Sequence, residues 1–184
     1  MTSNTLTKQK STAKLSFKAQ TLATVCAVAL AVALPQVLHA IGAATGAGTA
    51  LGEIFLPMHL PVLAVGFMAG PLAGAVSGAL APVVSFALSG MPGAVMLPVM
   101  CCELFAYGLI AGLLSGKNIS AFRKLLSAQL AGRIVRAVAV FTAVYAFDSS
   151  IAVSTVWMST VTGFAGILLQ WAILPSFIKR TAKR

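Results

Sequence analysis

Acidic side chains are nearly missing from this sequence: Glu53, Glu103 and Asp148 are all it has in 184 residues. That shortage excludes a good deal of chemistry. Three isolated acids form no cluster able to hold Mg²⁺. A Gly-rich phosphate loop and a His-Glu-x-x-His zinc motif are missing as well. ATP hydrolysis within this polypeptide is excluded, and neither an enzyme activity nor a cofactor or metal site is expected. Cysteine is also scarce. Cys26, Cys101 and Cys102 lie in apolar runs at a spacing that suits neither a metal site nor a disulfide framework, so buried structural thiols are expected. Both histidines, His39 and His59, fall outside the deep parts of the apolar runs, which removes a buried Ser–His pair for intramembrane proteolysis.

Charge of either sign is thin. Only 9% of residues are charged and 59% are apolar, whereas a soluble domain carries about 25% charged residues. A water-facing surface for such a chain would be short of charge, and lipid supplies the missing solvent. The chain reads as an all-α integral membrane protein, and roughly 20 apolar residues per span leaves room for five or six helices. The net charge of +10 raises the question of nucleic acid, but the distribution answers it. Basic residues gather at 8–18, 117–136 and 179–184 with long uncharged stretches between. That is the pattern of loops in a polytopic membrane protein, not a basic groove on a folded surface. No nucleic-acid partner is expected.

The order of apolar runs and breakers predicts a six-transmembrane-helix bundle with both termini cytoplasmic. A polar tail, 1–17, precedes a six-helix domain, 18–175, and a basic tail, 176–184, closes the chain. Helix 1 is expected at 21–34, ended by Pro35, followed by a long Gly- and Ala-rich connection over 36–57. The uncharged block 57–91 splits at the turn signal Gly70-Pro71 into a short helix 2 and a helix 3. Helix 4 is expected at 94–115 with Pro98 as a kink, helix 5 at 127–146 and helix 6 at 152–175. With that topology every Lys and Arg falls on or beside a cytoplasmic segment, counting Arg133 and Arg136 at the inner end of helix 5. The first apolar run after a basic tail also resembles a signal peptide. Leu38-His39-Ala40 is a poor cleavage site, however, and an intact helix 1 is the expectation.

Glu103 is the residue of most interest, because an ionisable group ten positions into an apolar helix marks a functional site by default. Met96, Met100, Glu103 and Tyr107 share one helical face, a plausible wall for an organic ligand. The plain alternative is a Glu that only ties the bundle together. Glu53, His59, Asp148, Met91 and Trp157 lie near the outer side and form a candidate roof, although His59 reads equally well as an interfacial residue. Ala23, Ala27 and Ala31 recur every four residues in helix 1, with Ala29 and Ala33 on a neighbouring face. Such a stripe serves either internal packing or docking of a partner membrane protein. No Lys or Arg is expected near the outer pocket, so a carboxylate ligand lacks an obvious cationic partner, and a neutral or cationic ligand facing Glu103 stays open. A small stand-alone secondary carrier acting as an oligomer would also fit these features.

Several short motifs occur together in order. They are Leu56-Pro57-Met58-His59-Leu60-Pro61-Val62-Leu63, Gly66-Phe67-Met68-Ala69-Gly70-Pro71, Gly74 and Gly78, Ser89-Gly90-Met91-Pro92, and the stretch 103–108. This series, across about 20–175, resembles the substrate-binding S components of energy-coupling factor vitamin transporters. The resemblance implies a six-helix bundle in the cell membrane that binds a vitamin or related micronutrient from outside. It also implies a membrane coupling subunit and two cytoplasmic ATPase subunits as partners, with Ala23, Ala27 and Ala31 meeting the coupling subunit. The Pro-Met-His and Gly-Met-Pro versions of the motifs are similar to those of members assigned to pantothenate.

Overall fold

The computed structural model describes residues 15–182, with side chains described through Lys179. Among the described residues there is no strand, and the elements are α1 (Phe17–Thr45), α2 (Ala50–Phe55), α3 (His59–Ala69), α4 (Pro71–Ser89), α5 (Leu97–Ser115), α6 (Ala121–Phe147), α7 (Thr155–Thr162) and α8 (Phe164–Ala182). Five segments are long and apolar enough to cross a membrane: α1, α2 with α3, α4, α5 and α6. The pair α7 and α8 makes a sixth if it counts as one span bent by 58°.

Local signals explain where most helices begin and end. The Ser16 and Ser120 hydroxyls accept from the amides of Ala19 and Arg123, each at 3.3 Å, and so cap α1 and α6. Gly90, in the left-handed region at φ 71°, stops α4. Pro71 stands in the first turn of α4, where its missing N–H leaves nothing unpaired. Pro98 occupies the same kind of place in α5, so the expected kink is absent and the proline starts the helix instead.

Other boundaries differ from the expectation. α1 runs through Pro35 to Thr45. A proline removes one hydrogen bond, but unwinding the chain in an apolar setting would orphan many backbone groups at several kcal/mol each, so the helix continues. The expected connection over 36–57 shrinks accordingly and contains α2. α6 starts six residues earlier than 127, at Ala121. The single helix expected over 152–175 is two, broken at Gly163, with α8 reaching Ala182. The polar tail 1–17 lies outside the described residues except for Leu15, Ser16 and Phe17.

Packing is closest where glycines face backbone. A Cβ at Gly74 or Gly108 would overlap the other's carbonyl, and one at Gly78 would overlap the carbonyl of Leu104. α4 and α5 therefore touch backbone to backbone, the arrangement small residues permit in lipid. Leu63, Leu104, Tyr107, Leu125 and Leu174 fill the centre. Leu22, Leu30, Leu72, Leu130, Ile134 and Val138 face outward, as lipid contact requires. Cys26 and Cys102 are exposed on this face and Cys101 is half-buried, which corrects the expectation of buried thiols. The connections α3–α4 and α5–α6 lie at one end of the bundle, with Lys18, Lys117, Arg123, Lys124 and Lys179 on or beside that end. The connections α1–α2, α4–α5 and α6–α7 lie at the other.

Candidate binding cavity

The end of the bundle away from the lysines holds a cavity of about 470 Å³, lined from α1 through α7. Its volume lies within the range of small-molecule sites, about 300–1,000 Å³. The depth of the cavity is set by α5 and α6, and its mouth by the end of α1, by α2 and by the α4–α5 connection.

Glu103 on α5 forms the floor and is fully buried. Each carboxylate oxygen takes a different arginine of α6. Arg133 donates from Nη1 to Oε1 at 3.1 Å, and Arg136 donates from Nη1 to Oε2 at 2.7 Å. Three positions apart, the two arginines share one face of α6. The same groups reach α7: Arg133 Nη1 donates to Ser159 Oγ at 3.0 Å, and Arg136 Nε to the Thr155 carbonyl at 3.3 Å. One buried charge cluster thus joins α5, α6 and the short α7. His59, in the first turn of α3, brings Nε2 to 3.7 Å from Glu103 Oε1 and sets its ring edge-on to Tyr107 at 5.1 Å. Water is excluded from Glu103, so these interactions act at a lower effective dielectric than they would on a surface.

Above the floor thioethers contribute to the wall, Met96 and Met100 from the start of α5 and Met158 from α7. These are flexible and polarisable side chains that adapt to a ligand's shape. The mouth is bordered by His39, Thr49, Gly52, Glu53, Met91 and Pro92. Gly52 allows α2 to lie against the His39 ring, which a Cβ would strike. Gln36 Nε2 donates to Ser89 Oγ at 2.8 Å, and Ser89 in turn donates to the Ser85 carbonyl at 2.8 Å, so the turn carrying Met91 is tied to α1.

Of the residues singled out in the sequence, Glu103, Met100, Met91, Glu53 and His59 come together on the cavity. Tyr107 does not reach it. One turn further along α5, its ring is buried against Gly132, below His59 and away from the opening. Trp157 is 55% exposed and points outward, because α7 turns Thr155, Met158 and Ser159 inward instead. Asp148, which ends α6, does not line the cavity either. Ala27 packs with Val65, Ala69 and Ala73, with Ala23 alongside, and Ala31 belongs to the central core. In this conformation the stripe serves internal packing, while Ala29 and Ala33 face outward.

The expectation for Arg133 and Arg136 needs correcting. They are not at the inner end of a helix. With α6 starting at Ala121, they lie about 18 and 22 Å along its axis at 1.5 Å per residue. The signal was present in the sequence: two ionisable residues inside an apolar helix mark a functional site as much as Glu103 does. A start placed at the capping residue Ser120 rather than at 127 would have shown it. The cavity therefore does contain cationic partners for an anion.

A family model described as ECF transporter, substrate-specific component, matches residues 21–180. No curated protein and no solved structure matches the chain.

Proposed function

The chain belongs to the ECF transporter substrate-specific components, and from that premise we propose that its cavity captures a vitamin or related micronutrient for import powered by partner subunits. The observation that carries this reading is the cavity itself: floored by Glu103, Arg133 and Arg136, and opening at the end opposite Lys18, Lys117, Lys124 and Lys179. Positive charge stays on the cytoplasmic side of a membrane protein. Lys18, Lys117, Arg123, Lys124 and Lys179 therefore argue for a cavity mouth facing out and for both termini inside. That topology requires an even number of crossings, which α7 and α8 supply as one bent span of a six-helix bundle. The cell membrane is the corresponding location.

The chain carries no nucleotide-binding motif, so energy must come from elsewhere. A membrane coupling subunit with two cytoplasmic ATPases is the proposed source. Contact is proposed along α1 at the Ala23, Ala27 and Ala31 stripe. Ala27 and Ala31 are covered from within, so Ala23 and the outward Ala29 and Ala33 offer the close approach. Pantothenate is the first substrate to try, on the motif resemblance and because the arginines answer the lack of a cationic partner.

Native mass spectrometry of the detergent-purified protein, expressed in rich medium, is expected to show a stoichiometric small ligand. Co-expression with a coupling subunit and its ATPases should yield a complex that takes up that ligand only with ATP. Uptake by this chain alone in vesicles, without ATP, would overturn the reading in favour of a stand-alone carrier.

A further inference from the structure

We propose that the cavity selects a ligand with a single carboxylate, and that Arg133 is the side chain that receives it. This inference rests on the reading of the chain as a substrate-binding subunit.

The first support is a charge count. At the cavity floor one carboxylate, Glu103, faces two guanidinium groups, Arg133 and Arg136, which leaves one positive charge in excess. The remaining ionisable groups on the cavity are His39, His59 and Glu53. Either histidine adds nothing when neutral and more positive charge when protonated. Glu53 sits exposed at the mouth beside Thr49, where water and salt screen it from the floor. An unmatched charge with restricted access to water is costly, and a monoanion entering the cavity offsets that cost. A neutral ligand leaves it in place, and a cation adds to it.

The second support is the division of labour between the arginines. Arg136 is held at two points of its guanidinium, by Glu103 and by the Thr155 carbonyl. Arg133 uses only Nη1, which it shares between Glu103 and Ser159. Its side chain is the more open of the two, 16% exposed against 8%, and its Nη2 has no hydrogen-bond partner among the described residues. Buried donors are rarely left so, and a carboxylate is the acceptor that suits a guanidinium best. Arg136 is therefore the positioning residue that holds Glu103, and Arg133 is the contact. The thioether wall of Met96, Met100 and Met158 makes no ionic demand, so the rest of the ligand is uncharged. The class is a small monocarboxylic acid with a neutral body.

The test uses matched probes on the purified full-length chain, read by isothermal calorimetry and thermal shift. Pantothenate is compared with its alcohol pantothenol, biotin with biotinamide, and nicotinate with nicotinamide, with thiamine as the cationic probe. One carboxylate is expected to bind, and its neutral twin to bind about tenfold to a hundredfold more weakly, the worth of one charge-assisted hydrogen bond. Arg133→Gln should abolish the difference between the twins, and Arg133→Lys should keep part of it. The wild-type comparison stands even if the Gln variant folds poorly. Equal binding of both twins, or binding of thiamine, would overturn the inference while leaving the subunit reading intact. Binding of none of the probes by a chain that still assembles with its ATPase module also overturns the inference alone. Binding of none together with failure to assemble overturns both.

Discussion

Removing the charge of Glu103 would leave Arg133 and Arg136 close together in a buried space with no negative charge between them. Breaking a buried ionic cluster in this way costs about 3–5 kcal/mol, so Glu103→Gln is expected to lower the melting temperature in detergent sharply. Arg136→Gln should cost clearly less, since it removes the bonds to Glu103 and the Thr155 carbonyl but leaves Glu103 paired with Arg133. The double variant Glu103→Gln with Arg136→Gln leaves one cation instead of two. Its loss should fall short of the sum of the single losses by about 1–3 kcal/mol, as groups in one network do. A strictly additive result in thermal denaturation would count against a coupled cluster. At this scale the sequence was informative about identity and poor about depth. Glu103 stood out because a lone acid in an apolar run needs a reason. Tyr107 lies on the face expected from its spacing, but periodicity says nothing about which turn of a helix opens to a cavity. Arg133 and Arg136 were legible only through the correct start of α6, which a serine cap decides and hydrophobicity does not.

Helix contacts in this bundle depend on the absence of side chains at a few positions, and that dependence can be measured. Gly74 and Gly108 meet across α4 and α5, and neither backbone can yield without disturbing its whole helix. Gly108→Val is expected to cost at least about 1–3 kcal/mol, the usual range for overpacking, and to lower the yield of folded protein. Gly93→Ala provides the contrast. It faces open space, so its stability should lie within about 0.5 kcal/mol of the wild type, the range for surface changes. Equal thermal shifts for the two variants would contradict the close approach of α4 and α5. The Gly70-Pro71 turn was readable in advance, because turn chemistry acts locally. The fate of Pro35 was not, because the choice between ending a helix and tolerating a gap depends on the surrounding medium. The break at Gly163 was equally hidden. The stretch is apolar on both sides, and the bend lets α7 bring Ser159 and Thr155 to the arginines, a tertiary gain with no local mark.

For the molecule as a whole, orientation is the property on which the transport reading depends, and charge asymmetry is its physical basis. Lys117, in the α5–α6 connection, and Glu53, at the cavity mouth, lie at opposite ends of the bundle. If positive charge is retained inside, Glu53 must face the exterior and Lys117 the cytoplasm. A background with Cys26, Cys101 and Cys102 replaced by Ala allows each site to be labelled alone. Glu53→Cys is expected to react with a membrane-impermeant maleimide on intact cells, whereas Lys117→Cys should react only after permeabilisation. Prior incubation with the bound ligand should slow labelling at Glu53→Cys, because that position borders the mouth, and leave Lys117→Cys unchanged. The reverse labelling pattern would turn the cavity toward the cytoplasm. Capture from outside would then be impossible, whatever the affinity of Arg133 for a carboxylate.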